Sequence, residues 1–246
     1  MKKKIFFIVV ALLFIHQSLF ALTGREIMEK SDSLPEPETA RSAALMHIYK
    51  GSRVLEKEFE VMAKKFENDE DRILISFIRP TKIKLLTHSF KGRDDDQWLR
   101  LSSGKIKRIA SSDKGKAFVN SHFYYEDLGS RDIDDYDYTL VGEGEAVGFD
   151  CHKVEAVKKE GAKVYDKLIL YVRTSDFFVV RIDFYRKGEF HKYLENKDIK
   201  KVKGILTPFR TVMSLANGKG KTELKIKKID YNMKMRSSRF NKEALR

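Results

Sequence analysis

The sequence predicts an antiparallel all-β protein: one large, strongly curved meander preceded by a short helix. Three observations predict it. Beyond Leu34-Pro-Glu-Pro37, apolar residues recur with period two and almost nowhere with the period of a helix. The runs are separated by turn signals at Lys50-Gly-Ser52, Asn68-Asp69, Ser102-Ser-Gly104, Glu160-Gly161, Lys187-Gly188 and Asn217-Gly218, the Asn-Gly pair being the strongest hairpin signal among them. Strands carry one charged and one bulky apolar face. Phe178, Val180, Ile182 and Phe184 oppose Arg181 and Asp183, and Leu224 and Ile226 oppose Glu223, Lys225 and Lys227.

The elements follow in chain order. Met1-Lys-Lys-Lys4 is a positive stretch, Ile5 to Ile15 is an unbroken apolar run, and His16 to Ala21 follow it. That is the three-part form of a secretory signal peptide, expected to be cleaved after Ala21, and the run is short for a membrane span. An uncleaved anchor is the alternative. The mature chain is then one domain, residues 22–246, exported and soluble. Thr23 is placed to cap a helix from Gly24 to about Ser33, with Glu26 in its first turn and Ile27, Met28 and Leu34 at helical spacing. The prolines at 35 and 37 end it. Strands are expected at 39–50, 54–67, 70–79, 83–90, 96–101, 105–110, 137–142, 147–158, 163–174, 178–187, 189–196, 205–216 and 219–232.

Composition narrows the function. The formal charge is +13, and loss of Lys2, Lys3 and Lys4 with the leader lowers it to +10. For an exported protein, that balance favours anionic lipid headgroups or acidic partners over nucleic acid. Cys151 is the single cysteine, so no intramolecular disulfide forms and the core alone must hold the fold. A curved open sheet also needs a cover for its apolar face, which one short helix does not supply.

The segment from about 111 to 136 interrupts the strand pattern, and within it lies FVNSHFYYEDL, residues 118–128. Its Phe118, Phe123, Tyr124, Tyr125 and Leu128 do not alternate as a strand would. The expectation is a plug or lid folded onto the concave face, fixed by Glu126 and Asp127 through basic residues on a rim. An ordinary capping core is the alternative.

The same eleven residues resemble the F-x-x-S-x-F-x-Y-E-D-L segment of the outer membrane lipoprotein-sorting proteins, the broad LolA-like group. Lys203-Gly-Ile-Leu-Thr-Pro-Phe209, Lys219-Gly-Lys-Thr-Glu-Leu-Lys-Ile226, Ile229-Asp-Tyr-Asn232 and Phe240 resemble its closing strands and final aromatic. The resemblance implies an unclosed β-barrel, a half-pipe lidded on its concave side. It also implies a periplasmic, non-enzymatic carrier for the acyl chains of a lipoprotein or phospholipid, with transient membrane-surface contact and no cofactor. An inner-membrane RND or ABC transporter would be the donor and an outer-membrane protein the acceptor. A sensor or accessory module of an RND-type exporter with the same fold is the second reading. An integral outer-membrane barrel is disfavoured, because outward charges such as Lys225 and Lys227 are costly against lipid.

Alternation and the plug together nominate groove residues. They are Met46, Ile48, Phe59, Ile75, Phe77, Trp98, Val180, Ile182 and Phe184 from strands, with Phe118, Phe123, Tyr124 and Leu128 from the lid. A one-residue register error turns any strand's set outward. Lys82, Lys84 and Arg210 are basic candidates for headgroups or a partner.

Other motifs fail on their spacing. Gly220-Lys-Thr222 has Leu215 where a phosphate loop needs glycine, and Gly142-Glu-Gly144 lacks the third glycine. Asp132, Asp134 and Glu143 match three positions of a calcium loop, but Asp137 stands where its glycine belongs. Ser111-Ser-Asp-Lys114 has no Lys-Thr-Gly partner. The histidines show no ligand spacing, and no Gly-x-Ser-x-Gly elbow exists.

Overall fold

The computed structural model describes residues 22–67, 70–161 and 164–246. The signal peptide expected at 1–21 and the Asn68-Asp69 turn lie outside them. Helix α1 (Gly24–Asp32) is capped by Thr23: its backbone N–H donates to Glu26 Oε2 at 2.7 Å, and Glu26 N–H donates to Thr23 Oγ1 at 3.2 Å. Gly24 is required where the helix touches the sheet, since a Cβ there would lie 2.7 Å from Leu140 N.

Thirteen strands make one antiparallel sheet: β1 (Thr39–Lys50), β2 (Arg53–Phe66), β3 (Glu70–Arg79), β4 (Lys84–Phe90), β5 (Arg93–Arg100), β6 (Ile106–Arg108), β7 (Tyr136–Ala146), β8 (Phe149–Lys158), β9 (Lys167–Arg173), β10 (Val179–Arg186), β11 (Glu189–Val202), β12 (Ile205–Leu215) and β13 (Gly220–Tyr231). Every expected run holds a strand; β7 and β11 are longer than alternation indicated.

The connectivity corrects the expected meander. Spatial order is β6-β5-β4-β3-β2-β1-β13-β12-β11-β10-β9-β8-β7. The chain winds outward from the centre to β6, crosses to the opposite edge, and winds back inward until β13 pairs with β1. The barrel is therefore unclosed, with β6 and β7 as its free edges. Residues 109–135 join those two edges, and this explains why an apolar segment occupies a connection: the chain there has to run across the open face. One edge strand is three residues long and the other packs under α1, both common ways of blunting an edge.

The face that carries the crossing segment and α1 is the inner face. Its core has two parts bridged by Leu224. On the β1–β5 side, Met46, Ile48, Phe59, Ile75, Phe77, Leu85 and Leu99 pack under Phe118, Tyr125 and Leu128. On the β8–β12 side, Val154, Leu168, Leu170, Ile182, Phe184 and Met213 pack under Phe123, Tyr124, Ile27 and Met28. The outer face is not bare either. Residues 233–246 fold over β3–β5, burying Phe240 and Leu245 completely against Leu74 and Leu86.

Candidate functional site

The crossing segment is built as a plug. Val119 (φ 46°) and Asn120 (φ 65°) sit in the left-handed region, where a β-branched residue is an outlier, and they turn the chain tightly. The turn brings Phe118 N–H to Phe123 O at 2.8 Å and aims the two phenylalanines at different halves of the core. Phe118 lies 5.7 Å from Phe77 and 5.6 Å from Tyr125, ring centre to ring centre, and is 1% exposed.

What holds the plug down is polar. Asp127 and Lys192 on β11 form an ion pair of 2.6 Å, with side chains 1% and 0% exposed. Lys192 Nζ also donates to His122 O (3.0 Å) and lies 3.6 Å from the centre of the Tyr124 ring. Asp127 accepts from Tyr165 Oη–H at 2.7 Å and from Tyr124 N–H at 2.6 Å. The buried pair is thus hydrogen-bonded on both sides, the condition under which burying two charges is tolerated. The sequence expectation had Asp127 reaching a rim cation; its partner is instead in the interior. His122 faces Thr222, with Nδ1 2.8 Å from Oγ1, and burial lowers its pKa. One signal for this anchor was legible: Lys192 shares a face with Leu194 on β11, a lysine where alternation demands an apolar residue.

Burial pulls the Lys192 ammonium down to about 8, with Asp127 opposing the fall.

The plug leaves one end of the inner face open. There a cleft of about 490 Å³ lies between the Leu34-Pro-Glu-Pro37 linker and the sheet. Ala63, Ile73, Val179, Ile205 and Tyr231 line it, and Lys65 and Arg72 stand at its margin. Lys65 is paired with Glu36 (2.9 Å) and Arg72 with Glu70 (2.8 Å), which leaves the walls largely apolar. The size falls within the range of small-molecule sites.

The nominated groove residues fall in three places. Met46, Ile48, Phe59, Ile75, Phe77, Ile182 and Phe184 are on the inner face, in contact with the plug. Phe118, Phe123, Tyr124 and Leu128 belong to the plug itself. Trp98 and Val180 need correction. Trp98 packs with Leu74, Leu86 and Phe240 on the outer face, because Leu99 is the residue of that pair that turns inward. Val180 joins Ala146, Cys151 and Tyr171 on the outer face, because a bulge between Val179 and Arg181 shifts the alternation by one. None of the nominated residues lines the open cleft. Lys84 and Arg210 are also engaged internally, with Ala244 O and Glu223. Of the calcium-loop matches, Asp134 pairs with Arg25 and Glu143 lies beside His152, so the structure does not gather them around a cation.

Solved structures share this unclosed antiparallel half-barrel fold, a LolA superfamily protein among them. A LolA superfamily protein from Nitrosomonas europaea superposes with a TM-score of 0.70 at 18% identity, covering 91% of this chain and 100% of that one. An outer membrane lipoprotein-sorting protein domain from Vibrio parahaemolyticus gives 0.85 at 24% identity, covering 90% and 97%. A DUF1329 family protein from Desulfovibrio piger gives 0.86 at 28% identity, covering 91% and 98%. No curated protein sequence matches. A sequence-family model described as an uncharacterized protein-like family matches residues 69–246, and the chain belongs to that family.

Proposed function

We propose that this protein is a non-enzymatic periplasmic carrier that holds the acyl part of a lipoprotein or phospholipid against its inner face. The observation that carries the reading is the apolar cleft at the unplugged end, continuous with a face built for burial. The fold shared with the lipoprotein-sorting domain supports it.

The energetics suit a carrier. Burying an acyl chain of roughly sixteen carbons gains about 12 kcal/mol relative to water, at about 0.8 kcal/mol per methylene. Relative to a bilayer the gain is close to zero, because the chain is already in hydrocarbon there. A groove no greasier than a membrane can therefore both load and unload, and direction comes from a transporter and an acceptor at its two ends. A cargo longer than the cleft has to compete with Phe123, Tyr124 and Leu128 for the inner face. The extent of the plug's packing favours a second reading, a sensor or accessory module that keeps the face filled.

Binding of a fluorescent fatty acid tests both. Carrier function predicts saturable binding that Ala63→Trp/Val179→Trp weakens at least tenfold, about 1.4 kcal/mol, with an unchanged urea midpoint. Lipid mass spectrometry on the gently purified protein should recover acyl species. An empty extract together with no fatty-acid binding would leave the sensor reading.

A further inference from the structure

We propose that the tips of three neighbouring hairpins, β1–β2, β12–β13 and β10–β11, form a docking surface for an anionic lipid bilayer. The tips come together by register. Lys50 pairs with Gly220 and Tyr49 with Lys221, so the first two turns abut. Lys192 pairs with Leu215, which brings the β10–β11 turn level with them. The β2–β3 ladder begins at Glu58 and Arg79, so residues 54–57 project beyond the neighbouring strand.

The charge on this end is predominantly basic. Lys50, Arg53, Arg186, Lys187, Lys219 and Lys221 are exposed there, against three exposed acidic residues: Glu189, Glu56, which is 2.9 Å from His47, and Asp166, which accepts from Gly188 N–H at 2.8 Å. Exposed apolar side chains lie among them: Val54 is 52% exposed, Leu55 50% and Phe190 39%. Both features together fit a lipid interface, where cations meet phosphates and apolar tips enter the headgroup layer. Tyr49 lies beneath Lys221 at 5.0 Å, and Tyr185 and Tyr193 flank Phe190 at 5.7 and 6.1 Å, placing aromatic rings at the depth such interfaces favour.

A bilayer fits better than an acidic protein for a geometric reason. Val54 and Leu55 are consecutive on a strand and point to opposite sides of the hairpin. A blade that is apolar on both sides is buried by insertion between headgroups, whereas a protein docked on one side would leave the other wet. The surface lies at the opposite end of the strands from the cleft, since Ala63 and Ile205 sit near the far ends of β2 and β12. The inference therefore stands apart from the carrier reading.

Vesicle flotation tests it. The purified protein should float with phosphatidylcholine vesicles containing about 30 mol% phosphatidylglycerol and not with phosphatidylcholine alone. Binding should fall steeply when salt is raised to about 0.5 M, where the Debye length drops to a few ångströms. Lys50→Glu/Lys219→Glu/Lys221→Glu should lower partitioning at least tenfold, and Val54→Ser/Leu55→Ser severalfold with the salt dependence kept. Lys200→Glu/Lys201→Glu at the other end, and the cleft-filling Ala63→Trp, should bind as the wild type does. Equal binding to both vesicle types, equal loss in the Lys200/Lys201 variant, or capture by an acidic protein with no vesicle binding would overturn the proposal.

Discussion

Lys192→Met is expected to destabilise the fold by about 3–5 kcal/mol, because it leaves the Asp127 carboxylate buried without its cation. The geometry gives no escape route. Asp127 is 1% exposed, and its other partners, Tyr165 Oη–H and Tyr124 N–H, are neutral donors that do not cancel a charge. His122 O would lose a donor as well. Adding Asp127→Asn should recover a substantial part of the loss, since the amide keeps an acceptor for Tyr165 and removes the charge. A double-mutant cycle should therefore report a coupling of about 1–3 kcal/mol between the two sites. Urea denaturation of the four proteins at neutral pH measures it. Additive effects would mean that the pair does not anchor the plug.

Phe118→Ala should cost about 3–5 kcal/mol, the range for removing a fully buried phenylalanine. Phe118 meets Phe77 at a tilt and Tyr125 edge-to-face, and Phe77 in turn stacks on Phe59 at 5.3 Å. A cavity at that point unsupports the β1–β5 half of the inner core. This experiment separates fixed core from detachable lid. A flap that rests on the sheet only in the absence of cargo predicts a loss under about 1 kcal/mol, within the ordinary range for surface changes. The large loss is the expected result for the β1–β5 half, where this packing is joined by one buried hydrogen bond, from Gln97 Nε2 to Tyr125 O at 3.0 Å.

Much of this was legible in the residues. Period-two alternation located all thirteen strands, and the Thr23–Glu26 pair located the start of α1. The aromatic run marked the cover of the inner face. Alternation failed at Val180 because a bulge is a local backbone event that leaves the residue types on either side unchanged. It failed at Trp98 for a different reason: both faces of β5 are buried, the outer one by a tail some 140 residues further on, so apolar character no longer marks one side. The cleft was missed because Ala63 and Val179 are unremarkable alone and become a wall only when the plug stops short of them.

Strand positions, the absence of a disulfide and the existence of a plug follow from side-chain chemistry along the chain, because period, cysteine count and apolar density are local properties. The pairing of β1 with β13, the partner of Asp127 and the open end of the half-barrel were decided only on folding. Each depends on which distant segments share a surface, and many pairings of thirteen similar strands satisfy the same alternation.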